Sequence, residues 1–442
     1  MPPKRPARPP APAPRPRPAR QPPRPAAPSP PPAAKAVRPP FRPGADDVLS
    51  LFAVAAPGLE KLAAQELRAL GLEAKAHSGG AAFSGRRADM YRANLWLRTA
   101  SRVLVRVGST YAGSFSELRD KAARFPWEAY LRPGQAVAVR VTSHKSRLYH
   151  TAAVAERVAG AIGDALGQEA VLQRAASAEA EEGNAGGNAA GEAAAGPAAQ
   201  LVVARLVDDR CTLSVDSSGA LLHQRGYRLA TAKAPLRETL AAALLLASGW
   251  DKQAPLVDPF CGAGTIPIEA AWLAQNQAPG RARRFAFMDW PDYEAARWAA
   301  LLAEAEAARV TGPAPLILGY DRDAGAIGAA RANAGRAGVA QAVQFGEQAL
   351  SALQAPPGRG WLVTNPPYGA RVHSGGDLRD LYAQLGHVLR AQCVGWQAGF
   401  LCGDQALARA SGLRFDLGRS LHLLNGGLPV DFLQARVSAE PA

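Results

Sequence analysis

Acidic residues are missing from the first 44 positions, which carry ten Lys/Arg and are nearly half proline. The formal charge of +14 over 442 residues therefore leaves only +4 to the chain beyond this segment, and the molecule as a whole does not read as a polycation. Proline removes backbone donors and favours polyproline II over a packed fold. Residues 1–46 are accordingly expected to form a disordered tail. Its arginines either hold phosphates loosely, through counterion release without sequence readout, or serve as a solubilising extension.

Cysteine is scarce. Cys211, Cys261, Cys393 and Cys402 show no C-x-x-C spacing and no neighbouring histidine cluster, which excludes a zinc module and a disulfide framework. No metal and a reducing compartment are expected. No run approaches 18 uncharged apolar residues, and the N-terminus lacks the apolar core of a signal peptide, so a cytoplasmic protein with no membrane partner is expected. His223, His373, His387 and His422 stand in unrelated contexts, and no Ser/His/Asp or Cys/His arrangement suggests nucleophilic catalysis.

The length exceeds one domain, and two or three folded units are expected. In 48-VLSLFAVAAPGLEKLAAQELRALGL-72 an apolar strand and a Pro-Gly turn precede a helix with Leu59, Leu62, Ala63, Leu67 and Leu70 at helical spacing. Strand-like runs at 81–85 and 103–111 flank a second helix over 88–101, giving the β-α-β-α-β order of a small α+β ferredoxin-like module over 47–112. A strand from 136 leads into a helix with Val154, Val158 and Ile162 on one face. Strands 201–207 and 211–218 then pair as a hairpin. Residues 175–200 are Ala/Gly/Glu-rich without a large apolar residue, a flexible insertion because nothing offsets the entropy of ordering it.

From residue 255 the pattern changes to α/β. Strands at 255–258, 316–321, 342–346, 361–367 and 396–402 alternate with helical stretches, as in a doubly wound parallel sheet. The chain closes with 419-RSLHLLN-425, Gly426–Gly427 and 428-LPVDFLQARV-437, an antiparallel hairpin that separates methyltransferase sheets from dehydrogenase ones.

Three segments carry chemistry. The first is 258-DPFCGAGTIPIEAAWLA-274, where a strand ends in Asp258 and a loop with Gly262 and Gly264 leads into a helix near Thr265. Glycines let the backbone approach a ligand at the strand's carboxyl end. The third glycine of the dinucleotide fingerprint is absent, so the loop fits another nucleotide-like cofactor or a plain tight turn. Cys261, within that loop, suits packing better than covalent catalysis. Second, Asp321 ends the next strand and can accept hydrogen bonds from two ribose hydroxyls or cap the following helix. Asp323 suits the cap better, because the helical run begins directly after it.

The third segment, 364-TNPPYG-369, lies at the end of the fourth strand, where two successive prolines are poor choices for a strand interior. An exocyclic base amine is a weak nucleophile because its lone pair is delocalised into the ring. The Asn365 side-chain oxygen and the Pro366 carbonyl can accept its two hydrogens and point the lone pair at an electrophilic methyl group. Tyr368 can stack on the base, and Pro366 and Pro367 stiffen the loop. In the first half, His144, Lys145, Arg147 and His150 surround Tyr149. This is either a phosphate-and-stacking site for single-stranded RNA or a solvated loop.

With 51-LFAVAAPGLEKLAAQEL-67, 225-RGYRLATAKAPLRETLAAALL-245 and 425-NGGL-428 added in order, residues 48–437 resemble the THUMP-domain class I RNA methyltransferases, in particular the bacterial group related to the large-subunit ribosomal RNA guanine-2-amino methyltransferase. The resemblance implies a Rossmann-like seven-stranded class I methyltransferase domain over 221–438. Ahead of it would lie the ferredoxin-like subdomain and a THUMP domain over 113–220 that captures RNA. It implies S-adenosylmethionine (SAM) as cofactor, with Asp258, Cys261, Gly262, Gly264 and Thr265 on its methionine side, Asp321 at the ribose and Glu347 at the adenine amine. Ala234, Pro235, Leu236 and Glu238 match the segment that covers the cofactor, and Asn365, Pro366 and Tyr368 match the reacting site. The 63 residues from Asp258 to Asp321, with aromatic 285-FAFMDWPDYEAARW-298, match an insertion shared by the group. The expected reaction is methylation of the guanine 2-amino group in 23S ribosomal RNA or a ribosomal precursor, by the amine-modifying half alone of the fused relatives. Rivals are the same chemistry on transfer RNA, adenine-N6 methylation of DNA or RNA, and a non-catalytic RNA-binding assembly factor. Separating the two halves is expected to retain SAM binding and lose RNA methylation.

Overall fold

The first apolar run after the tail forms β1 (Leu49–Ala55), and the Pro-Gly turn leads into α1 (Glu60–Ala69), which buries Ala63, Ala64 and Leu67. The structure, a computed structural model, describes residues 47–173, 199–229, 236–368 and 378–439. The tail 1–46, most of the 175–200 insertion, Ala234 and Pro235, the stretch 369–371 and His373 lie outside the described residues. Next come β2 (Ala74–His77), β3 (Gly80–Gly85), α2 (Arg87–Trp96) and β4 (Ala100–Tyr111). The order is thus β-α-β-β-α-β, one strand more than expected. β2 reads Ala-Lys-Ala-His, is exposed after its first residue, and exists through pairing with β3 from Ala74↔Phe83 to His77↔Gly80.

The second unit adds α3 (Phe115–Ala122), β5 (Ala136–His144), α4 (Thr151–Leu166), β6 (Val171–Gln173), β7 (Gln200–Val207) and β8 (Arg210–Asp216). β7 and β8 pair as the expected hairpin. β8 also pairs with β4, so both units share one eight-stranded sheet of order β2-β3-β1-β4-β8-β7-β5-β6.

The α/β half runs α5 (Glu238–Ser248), β9 (Leu256–Asp258), α6 (Thr265–Ala274), α7 (Ala295–Ala307), β10 (Ile317–Asp321), α8 (Ala324–Ala337) and β11 (Gln344–Glu347). It continues with β12 (Trp361–Thr364), α9 (Leu378–Gln392), β13 (Gln397–Cys402), α10 (Gln405–Ala410), β14 (Leu421–Asn425) and β15 (Leu428–Arg436). The sheet order is β11-β10-β9-β12-β13-β15-β14, with β15 antiparallel to both β13 and β14. Chain order reverses on the two sides of β9, which opens a crevice between the carboxyl ends of β9 and β12. β12 stops at Thr364 rather than at 367, so Pro366 and Pro367 lie past the ladder they could not have joined.

The aromatic insertion joins the halves. Phe287 is fully buried, stacked 4.4 Å from the Tyr91 ring of α2, with the Phe285 and Trp298 rings at 5.2 and 5.4 Å. Trp290 meets the edge of Tyr130 at 5.0 Å and donates Nε1–H to Gln200 Oε1 at 2.9 Å. Buried Arg87 pairs with Asp292, and Arg98 Nη2 donates to the Gln277 carbonyl at 2.6 Å. Arg225 donates to the Arg98 carbonyl at 2.7 Å, and Glu269 of α6 lies 3.5 Å from Arg225 and 3.9 Å from Arg98. Among the described residues, no helix is long and apolar enough to cross a membrane.

Candidate cofactor and amine site

The crevice is built by the ends of neighbouring strands. Thr364 Oγ1, last in β12, donates to Asp258 Oδ1, last in β9, at 2.6 Å, and the Phe260 amide donates to the same oxygen at 3.1 Å. Burial pushes the Asp258 carboxyl up to about 7; those two hydrogen bonds pull it down and nearby Asp321 adds to the rise. The loop closes through Gly264 N–H to the Cys261 carbonyl at 2.8 Å, Cys261 N–H to the Tyr320 carbonyl at 2.9 Å and Gly262 N–H to Asp321 Oδ2 at 3.0 Å.

The two glycines have different uses. Gly264 caps α6 at φ +84°, and a Cβ there would stand 3.0 Å from both Ala330 Cβ and the Phe345 ring, so its role is close packing of helix against strand. At Gly262, φ +50°, nothing lies within 4 Å of where a Cβ would be; the loop faces open space. Thr265 begins α6 and is buried. Asn333 of α8 is buried and donates to the Ala263 carbonyl at 3.0 Å, holding the loop from below. An asparagine within the alanine-rich run 324–337 is the sequence signal that points to it.

Asp323 caps α8, accepting from Gly325 and Ala326 N–H. Asp321 is not a cap. Its Oδ1 accepts from Asp323 N–H at 3.0 Å and its Oδ2 from Gly262 N–H, which fixes the carboxylate and leaves each oxygen a second lone pair. Exposed Glu347 sits opposite Asp321 in the β10–β11 ladder. Cys261 is buried and its thiol is raised well above the usual range by burial, then by Asp258 and Asp321, so it stays protonated. All four cysteines are free and buried.

Past β12, Asn365 Oδ1 is buried without a hydrogen-bond partner, although buried acceptors are normally satisfied. Pro366 is buried beside it. Tyr368 lays its ring against Gly403, where an added Cβ would be 3.2 Å from Tyr368 Cδ2, and its hydroxyl accepts from Asn425 Nδ2 at 2.5 Å. Glu238, grouped by resemblance with Pro235 and Leu236, is buried in an ion pair with Arg228 at 2.9 Å.

The cation-and-aromatic loop is exposed at His144, Lys145, Arg147, Tyr149 and His150, with the Tyr149 and His150 rings 4.2 Å apart. Arg147 is anchored to Asp209, Nε to Oδ2 at 2.8 Å. The same β7–β8 turn brings in two residues that local pattern did not suggest. Exposed Tyr111 ends β4, and the Arg210 guanidinium stands 5.9 Å from its ring centroid. Among the described residues, no group of three or more His, Cys, Asp or Glu side chains could hold a metal ion.

Three family matches cover the chain in order: an RlmL ferredoxin-like domain over residues 50–104, a THUMP domain over 112–174 and an RMKL-like methyltransferase domain over 225–430. The Synechocystis sp. protein slr0064, which carries an RNA methyltransferase name, is 37% identical over 386 residues, 87% of this chain and 95% of its own length. The chain belongs to the RlmL-like, THUMP-domain family of RNA methyltransferases.

The ribosomal RNA large subunit methyltransferase K/L of Syntrophotalea carbinolica is 38% identical over 407 residues, 89% of this chain and 54% of its own length; the chain spans about half of such K/L relatives. The crystal structure of SMU.472, a methyltransferase complexed with SAH, is 30% identical, covering 89% of this chain and 99% of that one with a TM-score of 0.76. The RlmL-like fold takes SAM as its cofactor. The crevice fits that group, with open space over Gly262 and carboxylates ending three adjacent strands.

Proposed function

We propose that this protein methylates the guanine 2-amino group of an RNA, foremost 23S ribosomal RNA or a ribosomal precursor. One observation carries the amine chemistry: a buried, unpartnered Asn365 carbonyl at the crevice. A group of that kind costs free energy unless a donor completes it, and an exocyclic amine is such a donor. Asn365 accepts one amine hydrogen and the Pro366 carbonyl the other, which turns the nitrogen lone pair toward the cofactor side. Tyr368 stacks on the extruded base, and Pro366 and Pro367 limit the loop's freedom. SAM supplies an electrophilic methyl group. The methylated nitrogen is acidic and releases its proton to water, so no residue needs to act as a strong base.

For the cofactor we assign Asp258, Cys261, Gly262, Gly264 and Thr265 to the methionine side, Asp321 to the ribose and Glu347 to the adenine amine, with the Pro235 segment as cover. For RNA we assign His144, Lys145, Arg147 and Tyr149, extended by Tyr111 and Arg210. RNA is favoured over DNA by the THUMP match, large-subunit ribosomal RNA by the names of the K/L relatives, and guanine by the resemblance of the motifs to the guanine-2-amino group of methyltransferases. Labelled SAM is to be incubated with unmodified ribosomal RNA, transfer RNA or duplex DNA, and the methylated nucleoside identified after digestion. N2-methylguanosine from ribosomal RNA is expected. Methyladenine as the sole product would overturn the substrate, and no transfer to any nucleic acid would favour a non-catalytic role.

SAM affinity should depend on pH. Asp258 ionises as pH rises through about 7, and its ionised form attracts the ammonium of the methionine side. Binding should therefore tighten by up to about tenfold between pH 6 and pH 8, measured by equilibrium dialysis. Asp258→Asn should flatten the profile, and a flat profile in the unaltered protein would remove Asp258 from the cofactor site.

A further inference from the structure

We propose that Asn425 is a positioning residue for methyl transfer, holding the Tyr368 ring in the plane that receives the target base. The inference rests on the reading of Tyr368 as the stacking residue and goes beyond it by naming what orients that ring. Asn425 is the last residue of β14 and stands opposite Leu428 across the two-residue turn Gly426–Gly427. Both glycines have positive φ, 58° and 81°. That turn matches the twist of a hairpin and fixes its register, which sets where the Asn425 side chain leaves the backbone.

Its Nδ2 donates to the Tyr368 hydroxyl at 2.5 Å, 57 residues away in sequence. The ring also lies against backbone: Gly403, just after β13, has no side chain, and an added Cβ would approach Tyr368 Cδ2 to 3.2 Å. A tether at the phenol tip and a backbone surface against the ring together restrict both side-chain torsions of a tyrosine. A stacking group helps only when its plane is set before the base arrives.

The hairpin is itself seated on the N-terminal half. Gly58, at φ +90° in the Pro57–Gly58 turn, lies so close to β14 that a Cβ would come 2.0 Å from the His422 carbonyl oxygen. Asn425 is three residues further along the same strand. The ferredoxin-like subdomain of the N-terminal half thus bears on the strand that carries the tether.

The test is a double-mutant cycle on Asn425→Ala and Tyr368→Phe, read as single-turnover methylation of ribosomal RNA with SAM affinity measured alongside. Each single change should lower the rate about tenfold with SAM affinity within about twofold, and the double change should lose little more than either alone, because both remove the same bond. Asn425→Asp, whose carboxylate can accept the phenol O–H at the same reach, should recover the rate to within about threefold. An unchanged rate in Asn425→Ala, a multiplicative loss in the double variant or a collapse of SAM binding would overturn the proposal. Tyr368→Ala separates the two levels: if it is harmless, the stacking reading has failed and the positioning role falls with it. If Tyr368→Ala is slow and Asn425→Ala is normal, only the positioning role is lost.

Discussion

Asn365→Ala should bind SAM nearly as well as the unaltered protein and transfer the methyl group at least about 100-fold more slowly, the usual loss for one hydrogen-bonding group aimed at the transition state. Asn365 takes no part in the bonds that hold the Gly262–Gly264 loop. The loop is held by Cys261, Gly262 and Gly264 backbone bonds, by Asp321 and by Asn333, none of which involves the Asn365 side chain. Its Oδ1 has no protein partner to lose, so the substitution should not destabilise the fold through a broken bond. The measurement pairs SAM equilibrium dialysis with a single-turnover rate on RNA. An unchanged rate would sink the amine-orienting mechanism, and a lost SAM affinity would move Asn365 into the cofactor site.

Phe287→Ala should cost about 3–5 kcal/mol of stability, the range for removing a fully buried aromatic from a core that cannot collapse around the gap. Phe287 contacts the rings of Tyr91, Phe285, Tyr293 and Trp298, and the Tyr91 stack crosses from the methyltransferase half to the N-terminal half. The denaturant midpoint would report the loss. The same seam revises the expectation that a separated second half keeps SAM binding. Cutting at the 220–221 junction would strip cover from Phe287 and Trp290 and leave Glu269 without Arg98. An isolated 221–439 fragment should therefore aggregate or fail to bind SAM. Full SAM affinity in a soluble fragment would show that the halves fold independently.

How far the sequence could be read depended on how far apart the interacting residues lie. Asp323 as the cap of α8, the paired glycines of the cofactor loop and the Gly426–Gly427 turn were legible because each depends on residues within a few positions. The Asn-Pro-Pro-Tyr segment drew notice for a related reason, since two prolines are poor choices for a strand interior, although the strand expected to run to 367 stops at Thr364. β2 was not legible, since Ala-Lys-Ala-His has no strand pattern of its own and is formed by the register of β3.

By itself, then, the sequence pointed to candidate side chains for a cofactor and a base amine, and to a parallel sheet that would bring strand ends such as Asp258 and Asp321 to one edge. Only the tertiary structure decided what holds them. The Asp258–Thr364 bond spans 106 residues, the Tyr368–Asn425 bond 57, and the salt bridge of Arg87 to Asp292 spans 205. Hydrogen bonds and ring contacts act over a few ångströms of space regardless of separation along the chain, so these partners became identifiable only once the sheet order and the packing of the two halves were known.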